Sequence, residues 1–144
     1  MLQVYKRMQK MREKYVDTLA KLYEYATTVY SKKQYTQWYD TKKGGHTYAS
    51  LKERCDSLSK VLTQYGIGAG DKVAILSQSM PNWSVAFFSL APYGRIVIPI
   101  LPDSSTNEVT NIINHSETKA IFVSQKLAGK VSEEVKDKMV LIID

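Results

Sequence analysis

Four short apolar runs divide the second half of the chain, and their spacing constrains the fold more than any other feature of the sequence. The runs are Lys72–Leu76, Ile96–Ile100, Ala120–Val123 and Val140–Ile143. Amphipathic segments separate them. Continuous apolar strands separated by amphipathic helices indicate a parallel sheet that is covered on both faces. The predicted fold class is therefore α/β, with right-handed crossovers between the strands.

A parallel sheet also predicts where a ligand would lie. Ligands in such sheets bind beyond the carboxyl ends of the strands. The segments that follow the first three strands are Ser77–Ser79, Leu101–Ser105 and Ser124–Gln125, and we take them as candidate rims of a site. Pro99 predicts the end of the second strand or an irregularity in it, because proline cannot donate to a strand ladder.

Three amphipathic segments connect these strands, and all three are expected to be helical. The first begins at Pro81, since proline suits the first helical position, and ends before Gly94. The second begins in a capping box formed by Ser105 and Glu108. The residues expected to face the sheet are Trp83, Phe87 and Leu90, then Val109, Ile112 and Ile113, then Leu127, Val131 and Val135.

The first half of the chain has a different pattern of apolar and polar residues. Apolar residues recur every three or four positions from Val4 to Ala26, which predicts one helix with an apolar face. Strand formers at 34–39 and turn residues at 40–45 predict a β-hairpin whose return strand starts at His46. Thr47 is the predicted N-cap of the next helix and Gly66 its stop. The apolar stripe of that helix consists of Leu51, Cys55, Leu58, Leu62 and Tyr65.

Basic residues are concentrated in this first half. The chain carries 20 Lys and Arg against 14 Asp and Glu, a formal charge of +6. Lysines neutralise phosphates, so nucleic acid has to be considered as a partner. No RNP-like, zinc-finger or helix-turn-helix pattern accompanies the charge, which favours a solvated helix face and predicts no nucleic-acid partner. A basic amphipathic helix can also lie on a membrane surface, and peripheral membrane contact stays open.

The two ends of the chain suggest where the protein is located in the cell and whether the chain is part of a longer protein. No stretch approaches the roughly 18 apolar residues of a membrane helix, and the N-terminus lacks the apolar region of a secretory signal. We therefore expect a cytoplasmic location, with the inner face of the membrane as the alternative. The chain ends at Asp144 directly after an apolar strand, and we expect it to be a piece of a longer protein.

Residue types that usually carry catalysis are sparse. A single cysteine, Cys55, rules out an internal disulfide and a multi-cysteine metal site, and its place on an apolar stripe predicts a buried, unreactive thiol. His46 and His115 lie in different predicted elements. The glycine run at 66–70 precedes a strand, whereas a dinucleotide fingerprint follows one, so it predicts a turn. The sequence alone names no catalytic, cofactor-binding or metal-binding residue.

Several blocks, taken in order, resemble adenylate-forming enzymes. They are T-Y-A-S-L at 47–51 with Leu58 and Leu62, G-I-G-A-G-D-K-V-A-I at 66–75, S-M-P-N-W at 79–83, Y-G-R-I-V-I-P-I at 93–100 and N-H-S-E-T-K-A-I-F-V-S at 114–124. Their order and spacing are most similar to the start of an acyl-CoA synthetase of the long-chain fatty acid group. The resemblance covers nearly the whole chain, from Leu22 to Asp144.

The resemblance implies a two-step ligase for the longer protein. A fatty carboxylate attacks the α-phosphate of ATP to give an acyl-adenylate and pyrophosphate, and the thiol of coenzyme A then displaces AMP. ATP, Mg²⁺ and coenzyme A are the implied cofactors, with Mg²⁺ offsetting phosphate charge. The family's phosphate loop, its adenine and ribose contacts and its C-terminal lysine belong to later sequence. Some relatives carry a basic residue for coenzyme A where this chain has Thr110–Asn114, without Lys or Arg. We therefore expect this chain alone to bind no cofactor and to be inactive.

The same interpretation divides the chain into two parts. Residues 1–30 form an N-terminal amphipathic helical segment, and residues 31–144 form the first part of the large N-terminal domain, a β-hairpin followed by βαβαβαβ. Elements missing from the fragment would leave an apolar face uncovered, so we expect self-association. Two alternatives stay open: a related ligase that acts on an aromatic or amino acid, and a self-standing basic module that binds nucleic acid or membrane.

Overall fold

A computed structural model describes residues 2–7, 17–37, 45–135 and 137–144 of the chain. Residues 2–7 are helical. The helices that follow are α1 (Leu19–Val29), α2 (Tyr48–Gln64), α3 (Pro81–Phe88) and α4 (Thr106–His115), and the strands are β1 (Lys72–Leu76), β2 (Ile96–Ile100), β3 (Ala120–Val123) and β4 (Met139–Ile142). Short 3₁₀ turns cover Ala91–Tyr93, Gln125–Lys130 and Glu133–Val135.

The four strands form one parallel sheet in the order β2-β1-β3-β4. The predicted α/β fold class is therefore confirmed. The first three strands have the predicted bounds, and β4 is shifted by one residue, from the predicted Val140–Ile143 to Met139–Ile142. Pro99 lies in β2, an edge strand, where a proline can turn its ring nitrogen away from the ladder.

Alternate residues of β1 pack into two separate apolar layers. Val73 and Ile75 contact the layer built with α2 and α3, which includes Leu62, Ala86 and Phe122. Ala74 and Leu76 belong to the opposite layer, which includes Val109 and Ile113 of α4 and the three residues Leu127, Val131 and Val135. Because side chains alternate along a strand, β1 is covered on both faces, as its continuous apolar sequence indicates.

Most of the predicted helix boundaries are confirmed by hydrogen bonds. The Thr47 hydroxyl accepts from the Ser50 amide at 3.2 Å, and Pro81 occupies the first turn of α3. Ser105 and Glu108 form the predicted capping box. After α2, the Gly66 amide donates to Thr63 O and the Ile67 amide to Leu62 O. Gly66 has φ +77°, so α2 ends in a Schellman motif, which favours glycine.

Two predicted helices differ from the structure. A single helix from Val4 to Ala26 is excluded because Thr18 is extended, with φ −143° and ψ 151°, and its side chain caps a new helix that begins at Leu19. Residues 8–16 lie outside the described residues. The segment containing Leu127, Val131 and Val135 forms short 3₁₀ turns and no α-helix. Gly129 within it disfavours a long helix, although all three apolar residues are buried as predicted.

The predicted hairpin lies partly outside the described residues, since positions 38–44 are not among them. At its base, Gln34 and Thr47 form an antiparallel bridge, and the Tyr35 and Thr36 amides donate to His46 O. The end of the α2 stripe needs correction. Tyr65 is 68% exposed because it is the C-cap residue of α2 and lies beyond the last buried turn.

Arg95 joins α2 to the start of β2 through a buried guanidinium. Arg95 is only 5% exposed. The guanidinium donates to the carbonyl oxygens of Ser59, Ile67 and Ser89 and to the hydroxyls of Ser59 and Thr63, over distances of 2.8–3.4 Å. None of these partners is a carboxylate. Buried charged groups are tolerated when their hydrogen bonds are made, and here most of those bonds go to α2 and the turn that follows it.

Substitution of Arg95 should therefore destabilise the chain strongly. The variant R95M keeps an apolar stem but leaves several buried carbonyl and hydroxyl groups without their donor. We expect the free energy of unfolding to fall by about 3 kcal/mol, measured by urea denaturation. The matched control is R54M, which changes an exposed arginine and should alter stability by about 0.5 kcal/mol or less. Equal losses in the two variants would contradict this role of Arg95.

Asp71 fixes the turn between α2 and β1. One carboxylate oxygen lies 2.7 Å from Lys119 Nζ, and the other accepts from the Gly68 amide at 2.8 Å. The hydrogen bond to Lys119 comes first among the causes that lower the pKa of Asp71, and the Gly68 amide adds to it. The ion pair with Lys119 needs the ionised carboxylate, and the hydrogen bond from the Gly68 amide is stronger to the ionised form, so Asp71 stabilises the turn most while it is charged.

The contribution of Asp71 to stability should depend on pH in a defined direction. Because the folded-state pKa is lowered, the stabilisation is present above the unfolded pKa of about 4 and is lost as the pH falls through the folded pKa. We expect D71N to be less stable than the parent at pH 6, with a difference that closes below pH 4. Urea midpoints measured across this range test it. The control is D103N, which removes an exposed carboxylate. A D71N difference that widens on acidification would refute the assignment.

Candidate functional site at the carboxyl edge of the sheet

A cleft of about 480 Å³ opens at the carboxyl ends of β1 and β2. Its apolar lining comes from Met80, Trp83 and the segment Pro99–Pro102, and its hydroxyls come from Ser77, Ser79 and Ser84. The cleft lies where the parallel sheet predicts a ligand site. Two of the three candidate rims, Ser77–Ser79 and Leu101–Ser105, contribute to it directly.

The third rim is connected to the first by a hydrogen bond. Ser124 Oγ, at the end of β3, donates to Gln78 Oε1 at 2.7 Å. The Ser77 hydroxyl donates to Gln78 O at 2.9 Å. On the other side of Ser124, the Gln125 amide donates to Asp144 Oδ2 at 2.5 Å. The loops after β1, β3 and β4 are thus joined in one polar chain, while Ser124 and Gln125 themselves do not line the cleft.

Lys130 holds the second rim in place. Lys130 Nζ donates to Pro102 O at 2.6 Å and to Ser104 O at 2.8 Å. It reaches them from the 3₁₀ turn after β3. The capping box of Ser105 and Glu108 begins directly after this loop. The backbone between β2 and α4 is therefore fixed from both sides, which shapes one wall of the cleft.

Sequence reasoning missed several of these residues. Met80, Ser84 and Lys130 were not among the predicted rims, and Trp83 was expected only to face the sheet. Trp83 does pack on Phe87, with ring centroids 5.4 Å apart, and it also lines the cleft. Met80 and Ser84 could have been predicted, because the rim residue Ser79 lies only two positions before the start of α3 in the sequence. No sequence pattern indicated that Lys130 would bind carbonyl oxygens 26 and 28 residues away.

The other candidate groups lie apart from the cleft. Cys55 is fully buried, and burial raises the pKa of its thiol to about 11, in line with the predicted unreactive thiol. His46 is buried with Nε2 3.1 Å from Asn82 Oδ1, and His115 is exposed at the end of α4. The glycine run forms the predicted turn, in which the Gly70 amide donates to Gly94 O.

Neither a metal cluster nor a membrane span is found in the part of the chain that the structure describes. Within residues 2–7, 17–37, 45–135 and 137–144, no three His, Cys, Asp or Glu side chains come together as metal ligands. Among the helices in these same ranges, none is long and apolar enough to cross a membrane.

A known protein family matches the part of the chain that contains the cleft. The model of the family described as AMP-binding enzyme matches residues 24–144, which include the whole sheet and every residue of the cleft. The chain belongs to the AMP-binding enzyme family. The resemblance to adenylate-forming enzymes and to their acyl-CoA ligases is thereby confirmed.

Relatives of this AMP-binding chain are much longer than the chain itself. It is 34% identical over 83 residues to a putative acyl-CoA ligase, YdaB, of Bacillus subtilis, a match that covers 56% of this chain and 16% of the relative. It is 31% identical over 76 residues to the long-chain-fatty-acid–CoA ligase FadD13 of Mycobacterium tuberculosis, covering 53% of this chain and 15% of the relative. The chain thus spans about one sixth of the length of these relatives.

A solved structure has the same fold as this chain. The structure of VinN in complex with L-aspartate superposes with a TM-score of 0.78 at 15% sequence identity, covering 90% of this chain and 33% of that one. An identity this low compares the fold alone. The parallel sheet and its covering helices are therefore shared with that structure.

Loss of the Lys130 contacts should loosen the cleft wall. In the variant K130M, Pro102 O and Ser104 O lose their charged donor, while the apolar stem of the side chain is kept. The Ser104 amide, which donates to Leu101 O at 3.1 Å, should then exchange with solvent about ten-fold faster. Hydrogen exchange followed by NMR measures this rate. The matched control K126M changes an exposed lysine of the same turn, and an equal acceleration there would argue against the assigned role.

Proposed function

We propose that this chain is the first part of an ATP-dependent acyl-CoA ligase whose substrate is a long-chain fatty acid. In this proposal, residues 31–144 open the large N-terminal domain and residues 1–30 form the amphipathic segment that precedes it. The observation that carries the proposal is the family match over residues 24–144, because it spans the complete sheet. The similarity to a long-chain ligase over 76 residues supports the substrate class.

The chemistry of the cleft is compatible with an apolar substrate. Met80, Trp83 and Leu101 are among the residues that supply its apolar lining, and Leu101 is 74% exposed at the rim. Burial of an alkyl chain against such surfaces is favourable by about 0.8 kcal/mol per methylene group. The three serine hydroxyls of the lining offer neutral hydrogen bonds and no countercharge, which supports an acyl chain over a charged amino acid at this position.

The residues present do not form a complete cofactor site. The cleft lining contains no Lys or Arg that could bind phosphate groups, and the described residues bring no carboxylate cluster together for Mg²⁺. Thr110–Asn114 in α4 also lacks a basic side chain. ATP, Mg²⁺ and coenzyme A belong to the proposed activity of the longer protein, and we derive no catalytic step from this chain. We expect the 144-residue chain alone to be inactive.

The proposal is tested on the native protein from its source. Its mass should correspond to several hundred residues, compared with 16.4 kDa for this chain. AMP release should then be measured with ATP, Mg²⁺ and coenzyme A in the presence of palmitate, benzoate or L-aspartate. We expect palmitate to give the highest kcat/KM. Preference for benzoate or L-aspartate would favour the alternative ligases, and a native mass near that of this chain would overturn the ligase proposal.

A pair of variants in the native protein tests the part played by the cleft. L101K places a charge at the cleft rim and should lower kcat/KM for palmitate about ten-fold or more, because an alkyl chain gains nothing from a hydrated ammonium. I96K makes a similar change at the opposite end of β2, where Ile96 is 46% exposed, and should leave kcat/KM close to that of the parent. Equal effects of the two variants on kcat/KM would mean that the cleft does not bind the fatty acid.

The partner and location assignments remain predictions. We propose a cytoplasmic enzyme whose basic N-terminal segment contacts the inner face of the membrane and which has no nucleic-acid partner. The net charge of +6 makes a weak electrostatic attraction to anionic surfaces reasonable. Binding to anionic vesicles, DNA and RNA should be measured at several salt concentrations. Steep salt dependence with DNA or RNA would favour the binding-module alternative.

A further inference from the structure

A second pocket lies on the other side of α3 from the cleft. α3 contributes Trp83 and Ser84 to the cleft and Phe88 to the second pocket. Trp83 and Phe88 are five positions apart in the sequence, so their side chains leave the helix axis in directions about 140° apart. Among the described residues, none lines both pockets. The helix therefore separates two distinct binding volumes.

The second pocket has a volume of about 230 Å³ and lies between α1, α2 and α3. Tyr23 and Thr27 of α1 are 7% and 3% exposed, whereas Leu19 is 39% exposed. The pocket is thus closed near Tyr23 and Thr27 and reaches solvent near Leu19. One face of α1 forms this side of the pocket, with contributions from Leu19, Leu22, Tyr23, Ala26 and Thr27.

Four aromatic rings line the pocket in different orientations. Tyr23 stacks on Phe88, with ring centroids 5.3 Å apart and planes inclined by 17°. Tyr35 meets Phe88 edge-on at 6.2 Å, and it contacts Tyr48 at 5.1 Å. Aromatic rings attract one another in offset-stacked and edge-to-face arrangements. A further ring placed here can contact the face of one neighbour and the edge of another, so the wall favours an aromatic ligand.

The lining offers no partner for a charged group. Among the described residues that line the pocket, none is Lys, Arg, His, Asp or Glu. The Thr27 hydroxyl donates to Tyr23 O at 2.8 Å within α1, so its hydrogen is already used. A charged ligand would lose its hydration without gaining a countercharge. The chemistry of the lining therefore selects an uncharged molecule.

The size of the pocket limits the ligand to one ring. An apolar protein cavity of about 150 Å³ binds benzene, and sites for drug-sized ligands have volumes of about 300–1,000 Å³. A pocket of about 230 Å³ lies between these limits. It accommodates a single ring with a short substituent.

We propose that the pocket between α1, α2 and α3 binds a small, uncharged molecule with a single aromatic ring. The proposal does not depend on the ligase function, because the residues that carry it lie outside the cleft. A ring in this position contacts Ala26 of α1 on one side and Phe88 of α3 on the other. Its binding should therefore also strengthen the attachment of α1 to the remainder of the chain.

Fluorine NMR with fluorobenzene as the probe tests the binding. Titration of the 144-residue chain should give saturable binding with a Kd of about 1 mM or tighter. The control probe para-fluorobenzoate keeps the ring and adds a carboxylate, and it should bind about ten-fold more weakly or less. The absence of saturable fluorobenzene binding, or equal affinities for the two probes, would overturn the proposal.

A matched pair of alanine variants on α1 tests the location of the probe. In A26F a phenylalanine ring fills the pocket from Ala26, so the Kd for fluorobenzene should rise about ten-fold or more. A20F makes the same change at an exposed position of the same helix and should leave the Kd close to that of the parent. Equal effects of A26F and A20F on the Kd would contradict the assigned site.

Methyl NMR of the unsubstituted chain locates the probe without any variant. The methyl resonances of Leu22 and Leu51, which line the pocket, should shift as fluorobenzene saturates. Leu101, which lines the cleft, should shift less. Shifts confined to Leu101 would place the probe in the cleft and would overturn the proposal.

Hydrogen exchange tests the effect of the ligand on α1. The amides of α1 should exchange more slowly in saturating fluorobenzene, because a ligand that contacts the helix only in its folded position opposes its opening. The amides of α4, which contributes nothing to the pocket, should not respond. Equal responses of the two helices, or none in α1, would refute the proposed contact between the ligand and α1.

Discussion

The buried guanidinium of Arg95 is the interaction on which the arrangement of the sheet and its first covering helix depends. It lies at the start of β2 and binds Ser59 and Thr63 in α2 and Ile67 in the following turn. These partners are hydroxyl and carbonyl oxygens, and the planar guanidinium supplies several hydrogen-bond donors at once, including those for the buried Ser59 and Ile67. A shorter or neutral side chain could not satisfy all of them, and α2 would lose its fixed distance from β2.

Several features follow once α2 and β2 are joined. The Schellman turn at Gly66 brings the chain back toward the sheet, and the Gly70 amide donates to Gly94 O, the residue before Arg95. Added bulk at Gly94 would meet the Ala69 Cβ at 3.2 Å. The amino-terminal ends of β1 and β2 are thus held in register. At their carboxyl-terminal ends the two strands continue into different loops, and the cleft forms between these loops.

The sequence predicted the parts of this fold that depend on local patterns. β1, β2 and β3 were recognised because their residues are apolar without interruption, and Thr47, Pro81 and Ser105 because capping is a short-range interaction. The break before Leu19 was missed because Asp17 and Thr18 do not interrupt the apolar spacing. The 3₁₀ turns at 125–135 were missed because apolar residues four apart are typical of helices, although here buried contacts with α4 and β3 position them.

The candidate site was predictable only in its location. A parallel sheet places a ligand at its carboxyl edge, and the rims after β1 and β2 were read directly from the strand ends. The Ser124–Gln78 and Lys130–Pro102 contacts were not predictable, because each joins residues far apart in the chain. No local pattern encodes which side chain reaches which carbonyl oxygen.

The strand order has a consequence for how the chain is assembled during synthesis. Val73 in β1 pairs on one side with Val97 and on the other with Ala120. The first partner emerges from the ribosome well before the second, and the loop that must close for the second is longer. Until β3 arrives, the backbone groups of Ala74 and Leu76 remain unpaired in the middle of the growing structure. Completion of the core must therefore wait for β3, and contacts so distant in sequence slow folding, so the incomplete sheet is the state most in need of protection by chaperones.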